Sequence, residues 1–118
     1  MTNNDETING LIQELRRGTI IIGVLSQLSK PQYGYSLISS LEEKGMSIDP
    51  GTLYPLLRRL EKQELLESKW DTNESRPRKY YILSNIGQTI FQQLVEEWKL
   101  ITISLERLIG GEENEQSN

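Results

Sequence analysis

The sequence predicts a mainly α-helical fold with one small β-hairpin, and three patterns support this prediction. Apolar residues recur at helical spacing through much of the chain. One region near residue 75 instead holds two short runs of strand-forming residues around a polar turn. The last apolar stretch alternates steps of three and four residues, as in a helix that packs along another helix. With 118 residues in total, we expect one compact domain.

The N-terminal part is predicted to be helical. Residues 7–17 form an amphipathic pattern with Ile8, Leu11, Ile12 and Leu15 on one face. The pattern ends in two arginines, which suit the last turn of a helix. The nearly apolar run TIIIGVLSQL at 19–28 then either continues this helix after Gly18 or forms a second one. We favour a helical core segment, and its isoleucine cluster makes a strand the alternative.

The next two helices are predicted from their caps. Residues 33–44 have helical spacing, and Gly45 is placed to close that helix as a C-terminal cap. Ser47 and Asp49 are candidate N-caps for the following helix, with Pro50 at its first position. A start at Asp49 puts Pro55 beyond the first turn, at the cost of one backbone hydrogen bond, whereas a start at Thr52 avoids that loss.

The stretch PGTLYPLLRRLEK at 50–62 separates an apolar stripe from a basic face. The leucines at positions 53, 56, 57 and 60 fall on one side of a helix. Gly51, Pro55, Arg58 and Lys62 fall opposite, with Tyr54 and Arg59 on the flanks. Taken alone, this pattern is typical of any surface helix with solvated basic residues. The hairpin that follows it favours a DNA-recognition helix instead.

The hairpin is predicted from the runs LLESKW and RKYYIL, which the turn-forming segment DTNESRP separates. Its tip is followed by basic residues, so Arg76, Arg78 and Lys79 are candidate phosphate contacts. Solvated charge on a hairpin is an equally simple interpretation of these residues.

A last helix is predicted to begin at a Ser84 or Asn85 cap and to end near Ile109, before Gly110 and Gly111. Its seam, with steps of 3, 4, 3, 4 and 3, consists of Phe91, Leu94, Trp98, Ile101, Leu105 and Leu108. Such a seam requires a facing helix, either in a second copy of the chain or in this chain's own first helix. The predicted units are therefore a helical and hairpin domain at 7–84, a dimerisation helix at 85–109 and an acidic disordered tail at 110–118.

Composition argues against several classes of function. The chain has no Cys and no His, which excludes thiolate and imidazole chemistry and weighs against an enzyme, a metal site or a cofactor. No run is long and apolar enough for a membrane span, and the polar start does not resemble a signal peptide, so we expect a cytoplasmic protein. The net charge of −4 is unfavourable for a DNA-binding protein, but residues 50–82 carry seven basic and five acidic groups.

The order of helices followed by a hairpin is that of a winged helix-turn-helix domain, in which the second helix of the motif enters the major groove. Three segments resemble the PadR family of bacterial transcriptional regulators, in its smaller branch with a single C-terminal helix. They are YGYSLISSLEEKG at 33–45, DPGTLYPLLRRLEKQELLES at 49–68 and RPRKYYILSNIGQ at 76–88. The chain departs from the family at Glu64, where a glycine is usual, so the turn after the recognition helix is expected to be built differently.

The resemblance implies a homodimer that presents two recognition helices and two wings to a palindromic operator. The implied DNA-proximal residues are Tyr33, Tyr35, Gly51, Thr52, Tyr54, Arg58, Arg76, Arg78 and Lys79. The exposed face of the helix at 50–62 adds three further predicted DNA contacts, Pro55, Arg59 and Lys62. The predicted dimer interface consists of the apolar face of the first helix, with Ile8, Leu11, Ile12 and Leu15, and of the seam residues of the last helix.

Trp98 has two interpretations. It is either a buried residue of the dimer interface or, as in one branch of the family, part of a pore that binds flat hydrophobic molecules, with Ile8, Ile12 and Leu15 opposite. The leading hypothesis is thus a DNA-binding repressor that a hydrophobic or aromatic effector releases. The alternative is a winged-helix protein-interaction module that does not read DNA sequence.

Overall fold

The computed structural model describes residues 3–73 and 75–116, with side chains described for 4–73 and 75–110. Four helices are present: α1 (Asn3–Ser26), α2 (Gly34–Glu43), α3 (Pro50–Lys62) and α4 (Asn85–Gln116). Three strands, β1 (Gln32–Tyr33), β2 (Leu66–Asp71) and β3 (Arg78–Leu83), form an antiparallel sheet in the order β1-β3-β2. The predicted fold class, helical with a hairpin and a long C-terminal helix, is confirmed.

The first helix is continuous, which decides between the alternatives left open at Gly18. It runs through Arg16 and Arg17 without a break, and the strand alternative for residues 19–28 is wrong. Gly18 is tolerated because a glycine inside a helix lowers stability by about 1 kcal/mol without forcing the helix to end.

Strand β1 is the element that the sequence did not predict, since Tyr33 was taken as the start of a helix. Its two residues pair with β3, Gln32 opposite Tyr81 and Tyr33 opposite Tyr80. Tyr33 then serves as the extended residue that precedes α2. A strand of two residues is too short to show a periodicity in the sequence. Its partner strand lies almost fifty residues away, so no local pattern predicts the pairing.

The start of α3 decides between the two predicted alternatives in favour of a cap at Asp49. The Asp49 carboxylate accepts a hydrogen bond of 2.9 Å from the Thr52 backbone N–H, and Pro50 occupies the first helical position. Pro55 therefore lies inside α3, and the Gly51 carbonyl loses its intrahelical partner. Upstream, Gly45 has a φ of +93° and closes α2 as predicted.

The turn after α3 keeps the left-handed conformation that was expected to be lost. Glu64 has a φ of +67°, so a non-glycine residue occupies the position that usually favours glycine. The Ser84 hydroxyl donates a 2.7 Å hydrogen bond to the Glu64 carbonyl and accepts one of 2.9 Å from the Gly87 backbone N–H. Ser84 thus caps α4 and also holds the turn, so its hydrogen bond helps to keep Glu64 in the strained left-handed conformation.

The last helix is longer than predicted. It continues through Gly110 and Gly111 to Gln116, so the predicted end at Ile109 is wrong, and the predicted tail at 110–118 begins inside helix. The two glycines are permitted in a helix, although they weaken it. The last two residues of the predicted tail lie outside the described residues.

One apolar core holds the domain together. It is built where α1, α2 and α3 meet the sheet, and consists of Val24, Leu25, Leu28, Leu37, Leu41, Leu53, Leu57, Leu60, Leu66, Tyr81 and Leu83. The N-terminal half of α1 and the outer part of α4 project from this core. Their projection gives a radius of gyration of 18.2 Å, against the roughly 13 to 14 Å of a compact domain of this length.

Within residues 3–73 and 75–116, none of the helices combines the length and apolar content needed to cross a membrane.

Candidate nucleic-acid interface

The outer face of α3 is a row of exposed residues that the core holds in place. Leu53, Leu57 and Leu60 are buried and fix the helix against the domain. The opposite side exposes all six of the predicted contacts that lie there: Gly51, Thr52, Pro55, Arg58, Arg59 and Lys62. The helix therefore presents a polar and basic surface to solvent, as a recognition helix must.

Tyr54 has a different environment from the other predicted contacts on α3. Its side chain is half-buried and packs against the core. A Cβ added at Gly34, the first residue of α2, would lie 2.5 Å from the Tyr54 hydroxyl oxygen. Tyr54 thus occupies the space that the missing side chain of Gly34 leaves, and it holds α2 and α3 at close approach.

Two arginines of α1, Arg16 and Arg17, were not predicted to be part of the interface. Arg17 and Arg59 line one surface groove between α1 and α3, and Arg16 and Thr52 line a neighbouring one. The arginine pair was predicted to end a helix. Because α1 instead continues past them, both arginines line grooves that they share with residues of α3.

The wing root, where the hairpin leaves the domain, holds four interacting side chains: Tyr33, Tyr35, Asp71 and Arg78. We refer to them as the wing-root cluster. The Tyr33 hydroxyl donates a 2.6 Å hydrogen bond to Asp71, and the Tyr33 and Tyr35 rings are parallel with centroids 6.1 Å apart. Arg78 donates a 2.8 Å hydrogen bond to the Tyr35 hydroxyl oxygen. Three predicted DNA contacts, one each from β1, α2 and the wing, are therefore joined to each other.

A second set of contacts ties the hairpin to the recognition helix. The Lys79 ammonium lies 3.2 Å from Glu61 Oε1, while the Ser68 hydroxyl donates a hydrogen bond to Glu61 Oε2. Both oxygens of this α3 carboxylate are therefore occupied by residues of β2 and β3. Lys79, predicted as a phosphate contact, instead has an internal ionic partner.

These contacts shift the ionisation of the groups that make them. The hydrogen bond from Ser68, followed by the contact with Lys79, lowers the pKa of Glu61. Burial acts to lower the pKa of Lys79, but the hydrogen bond to Glu61, together with the interactions with Tyr81 and with the charge of Glu61, outweighs it and leaves that pKa raised. The hydrogen bond from Tyr33, helped by the Asn73 backbone N–H, lowers the pKa of Asp71. All three groups are charged at neutral pH.

Among the predicted wing contacts Arg76, Arg78 and Lys79, Arg76 is the one with no partner among the described residues. It lies exposed between the two strands, near the tip of the hairpin. Among the described residues, no side chain is hydrogen-bonded to it or within ion-pair distance of it. Its guanidinium is therefore a ready donor to a phosphate.

The predicted dimer residues divide between the core and the projecting helices. Phe91 and Leu94 pack against the chain's own core. The other predicted residues are exposed, from 36% of the side-chain surface at Ile12 to 79% at Leu108. They are Ile8, Leu11, Ile12, Leu15, Trp98, Ile101, Leu105 and Leu108. Large apolar residues exposed along two projecting helices indicate a surface that associates with another one.

Comparison with known proteins agrees with this geometry. Residues 21–93 match the model of the transcriptional regulator PadR-like family. A PadR family regulator from Eggerthella lenta is 42% identical, with a TM-score of 0.86 over 90% of this chain and 95% of its own. A PadR-like transcription factor from Bacteroides fragilis is 31% identical, with a TM-score of 0.70 over 84% of this chain and 98% of its own.

A transcriptional regulator of Mycobacterium tuberculosis is 27% identical over 91% of this chain and 98% of its own length. The family model covers more than half of the chain, and the winged-helix elements lie where the family has them. The protein therefore belongs to the PadR-like family of winged-helix transcriptional regulators.

Proposed function

We propose that this protein is a cytoplasmic repressor that binds a palindromic operator as a homodimer and that a hydrophobic or aromatic effector releases from DNA. The observation that carries the proposal is the exposed row of polar and basic residues on α3, beside a wing that ends in Arg76. Arg58, Lys62 and Lys79 line one surface depression between α3 and β3. A major-groove helix flanked by a phosphate-contacting wing has this arrangement.

The dimer is supported by the apolar residues on the outer parts of α1 and α4. In one copy they face solvent, and the extents of 64 × 41 × 24 Å show how far these helices project. A two-fold interface along α4 would bury them. Two-fold symmetry would also present two copies of α3, which is the reason for expecting a palindromic operator.

The acidic net charge is compatible with DNA binding because of where the charges lie. The net charge is +2 over residues 50–82 and −4 over residues 83–118. Salt screens charges beyond about 8 to 10 Å, so acidic groups on the far part of α4 have little effect on a phosphate at α3. Arg16 and Arg17, which lie beside α3, add to the local positive charge.

The central experiment measures DNA binding by fluorescence anisotropy against salt concentration. One fragment comes from the region upstream of the gene itself, and the control is an unrelated fragment of equal length. We expect tighter binding to the upstream fragment and an affinity that falls about 10³- to 10⁵-fold between 50 and 200 mM salt if six to ten phosphates are contacted. Transcription from the upstream fragment should fall as the protein is added.

Two outcomes would change the proposal. No binding at low salt to either fragment would favour the protein-interaction module. Tight binding to the upstream fragment with increased transcription would make the protein an activator.

The effector is proposed to bind beside Trp98, between the projecting helices of the dimer. Trp98 is 44% exposed in one copy, and Ile8, Ile12 and Leu15 offer apolar surface on α1. A ligand that binds one dimer geometry better than another shifts the spacing of the two α3 helices and releases DNA.

The effector test uses the Trp70→Phe variant, so that Trp98 is the single fluorophore of its kind. We expect flat aromatic compounds to quench its emission at concentrations that also release the operator. Quenching without release would separate binding from regulation. No quenching across a broad panel would indicate a filled interface.

A further inference from the structure

The wing-root cluster joins the two strands of the hairpin to the body of the domain at the point where the tip begins. Asp71 and Arg78 are opposite each other as the outermost described pair of β2 and β3. Tyr33 lies in β1, which is anchored by its pairing to β3. Its hydroxyl reaches the end of β2 at Asp71, while Arg78 at the start of β3 reaches Tyr35 on α2.

The cluster uses much of the binding capacity of its members. The single proton of the Tyr33 hydroxyl is donated to Asp71, so this hydroxyl has no proton left for a phosphate. The Arg78 guanidinium carbon lies 5.5 Å from the Tyr33 ring centroid and 5.3 Å from that of Tyr35. These distances place the guanidinium over both rings, as in cation–π contacts.

A two-stranded hairpin is at most marginally stable by itself, and its tip is the part least constrained by the sheet. If the tip samples many directions, DNA binding must include the entropy of ordering it. Contacts that already fix the outermost strand pair reduce that loss. The wing-root cluster supplies such contacts from two different elements of the domain.

We propose that Tyr33, Tyr35, Asp71 and Arg78 are positioning residues that fix the direction of the wing, and that Arg76 makes the wing's contact with DNA phosphate. This inference rests on the proposed function. It revises the roles of Tyr33, Tyr35 and Arg78, which the sequence analysis placed among the DNA contacts, and it assigns a role to Asp71.

The first test is a double-mutant cycle between Tyr33 and Arg76 in DNA binding. Tyr33→Phe keeps the ring and the charge and removes only the hydroxyl. We expect it to weaken operator binding about two- to tenfold, the range of one hydrogen bond. Arg76→Ala should lower the slope of log affinity against log salt by about 0.9. In the Arg76→Ala chain, Tyr33→Phe should have no further effect, because the hydroxyl acts through Arg76.

The matched control is Tyr80→Phe, which removes a hydroxyl from a neighbouring residue in the same sheet. Among the described residues, the Tyr80 hydroxyl makes no hydrogen bond, so we expect unchanged affinity. Additive losses in the Tyr33 and Arg76 double variant would overturn the proposal, because they would mean that Tyr33 contacts DNA independently.

The second test needs no DNA. Amide hydrogen exchange in β2 and β3 should be faster in Tyr33→Phe and Asp71→Ala than in Tyr80→Phe. It should be no faster in the variant that combines Tyr33→Phe with Asp71→Ala than in either single variant. Unchanged exchange would overturn the positioning role. Failure of the wild-type protein to bind any DNA would overturn the proposed function and leave this exchange result valid.

Discussion

At the scale of single residues, we expect Arg58 to distinguish one base pair from another. It is exposed on the outer face of α3, and a guanidinium can donate two hydrogen bonds to a guanine. We expect Arg58→Ala to weaken operator binding by about 1 to 3 kcal/mol and to reduce the preference over unrelated DNA.

Lys62→Ala is the matched comparison for Arg58→Ala, one turn further along the same face. We expect it to weaken binding to both fragments equally, as a phosphate contact does. Anisotropy titrations on the operator and on unrelated DNA measure both. An equal loss on the two fragments for Arg58→Ala would reassign that residue to the backbone.

Glu64 is a second residue with a measurable role, here in stability. A left-handed conformation costs a non-glycine residue about 1 to 2 kcal/mol, and Glu64 has it at a φ of +67°. Glu64→Gly should therefore raise the free energy of unfolding by about 1 kcal/mol, after the greater entropy of glycine in the unfolded chain is subtracted. Glu64→Ala removes the carboxylate but keeps the strain, so it should not stabilise. Urea unfolding curves test this, and equal effects of Gly and Ala would show that the side chain matters instead.

At the scale of elements, the contact between α3 and the hairpin predicts a dependence of stability on pH. Glu61 has a lowered pKa, so its contribution is complete above its ordinary pKa of 4.5 and is lost as the pH falls through the lowered value. Lys79 has a raised pKa, so its contribution is complete below 10.5 and is lost as the pH rises through the raised value. The contact is therefore complete from about pH 4.5 to 10.5.

The Glu61→Gln variant tests this dependence. It should be less stable than the wild type at pH 7, and the difference should shrink as the pH falls below 4.5. Chemical unfolding at several pH values measures it, with the exposed Glu67→Gln as the control on the same hairpin. A difference that is constant with pH would show that the loss does not come from ionisation.

The elements that could be predicted from the sequence are those with local signals. Residues 50–62 combine a cap, an initial proline and an apolar stripe, so α3 was predicted, although Pro55 left its start open between Asp49 and Thr52. Strand β1 could not be predicted, because pairing with a distant strand defines it. Gly110 was predicted to end a helix, and Gly18 left two alternatives open, although glycine weakens a helix without forbidding it.

In the candidate site too, local sequence patterns predict some features, and others depend on the tertiary structure. The exposure of Arg58 and Lys62 follows from helical period alone. The pairing of Lys79 with Glu61 and the bond between Tyr33 and Asp71 depend on how the hairpin lies against the domain. Spacing in the sequence does not give that orientation, so Arg78 and Lys79 were both predicted to be phosphate contacts.

At the scale of the whole molecule, the projecting helices predict that association with a second copy stabilises the fold. Leu105 is exposed on α4 in one copy, so Leu105→Asp should leave its fold intact and yield monomers, because a buried unpaired carboxylate is costly. Sedimentation velocity measures this, with Ser104→Asp, an exposed neighbour, as the control. The wild-type melting temperature should rise with protein concentration. A persistent dimer in Leu105→Asp would place the interface elsewhere.

The close approach of Tyr54 to Gly34 has a consequence for how a signal can travel through this regulator. Because the ring fills the space where a Cβ would lie, a shift of α2 along α3 requires the Tyr54 ring to move as well. We therefore expect the two helices to move together. If a ligand regulates the proposed dimer, we expect its signal to be transmitted as a change in the distance and angle between the two copies of α3. Gly34→Ala should then weaken operator binding in anisotropy titrations, while sedimentation velocity shows an unchanged association state.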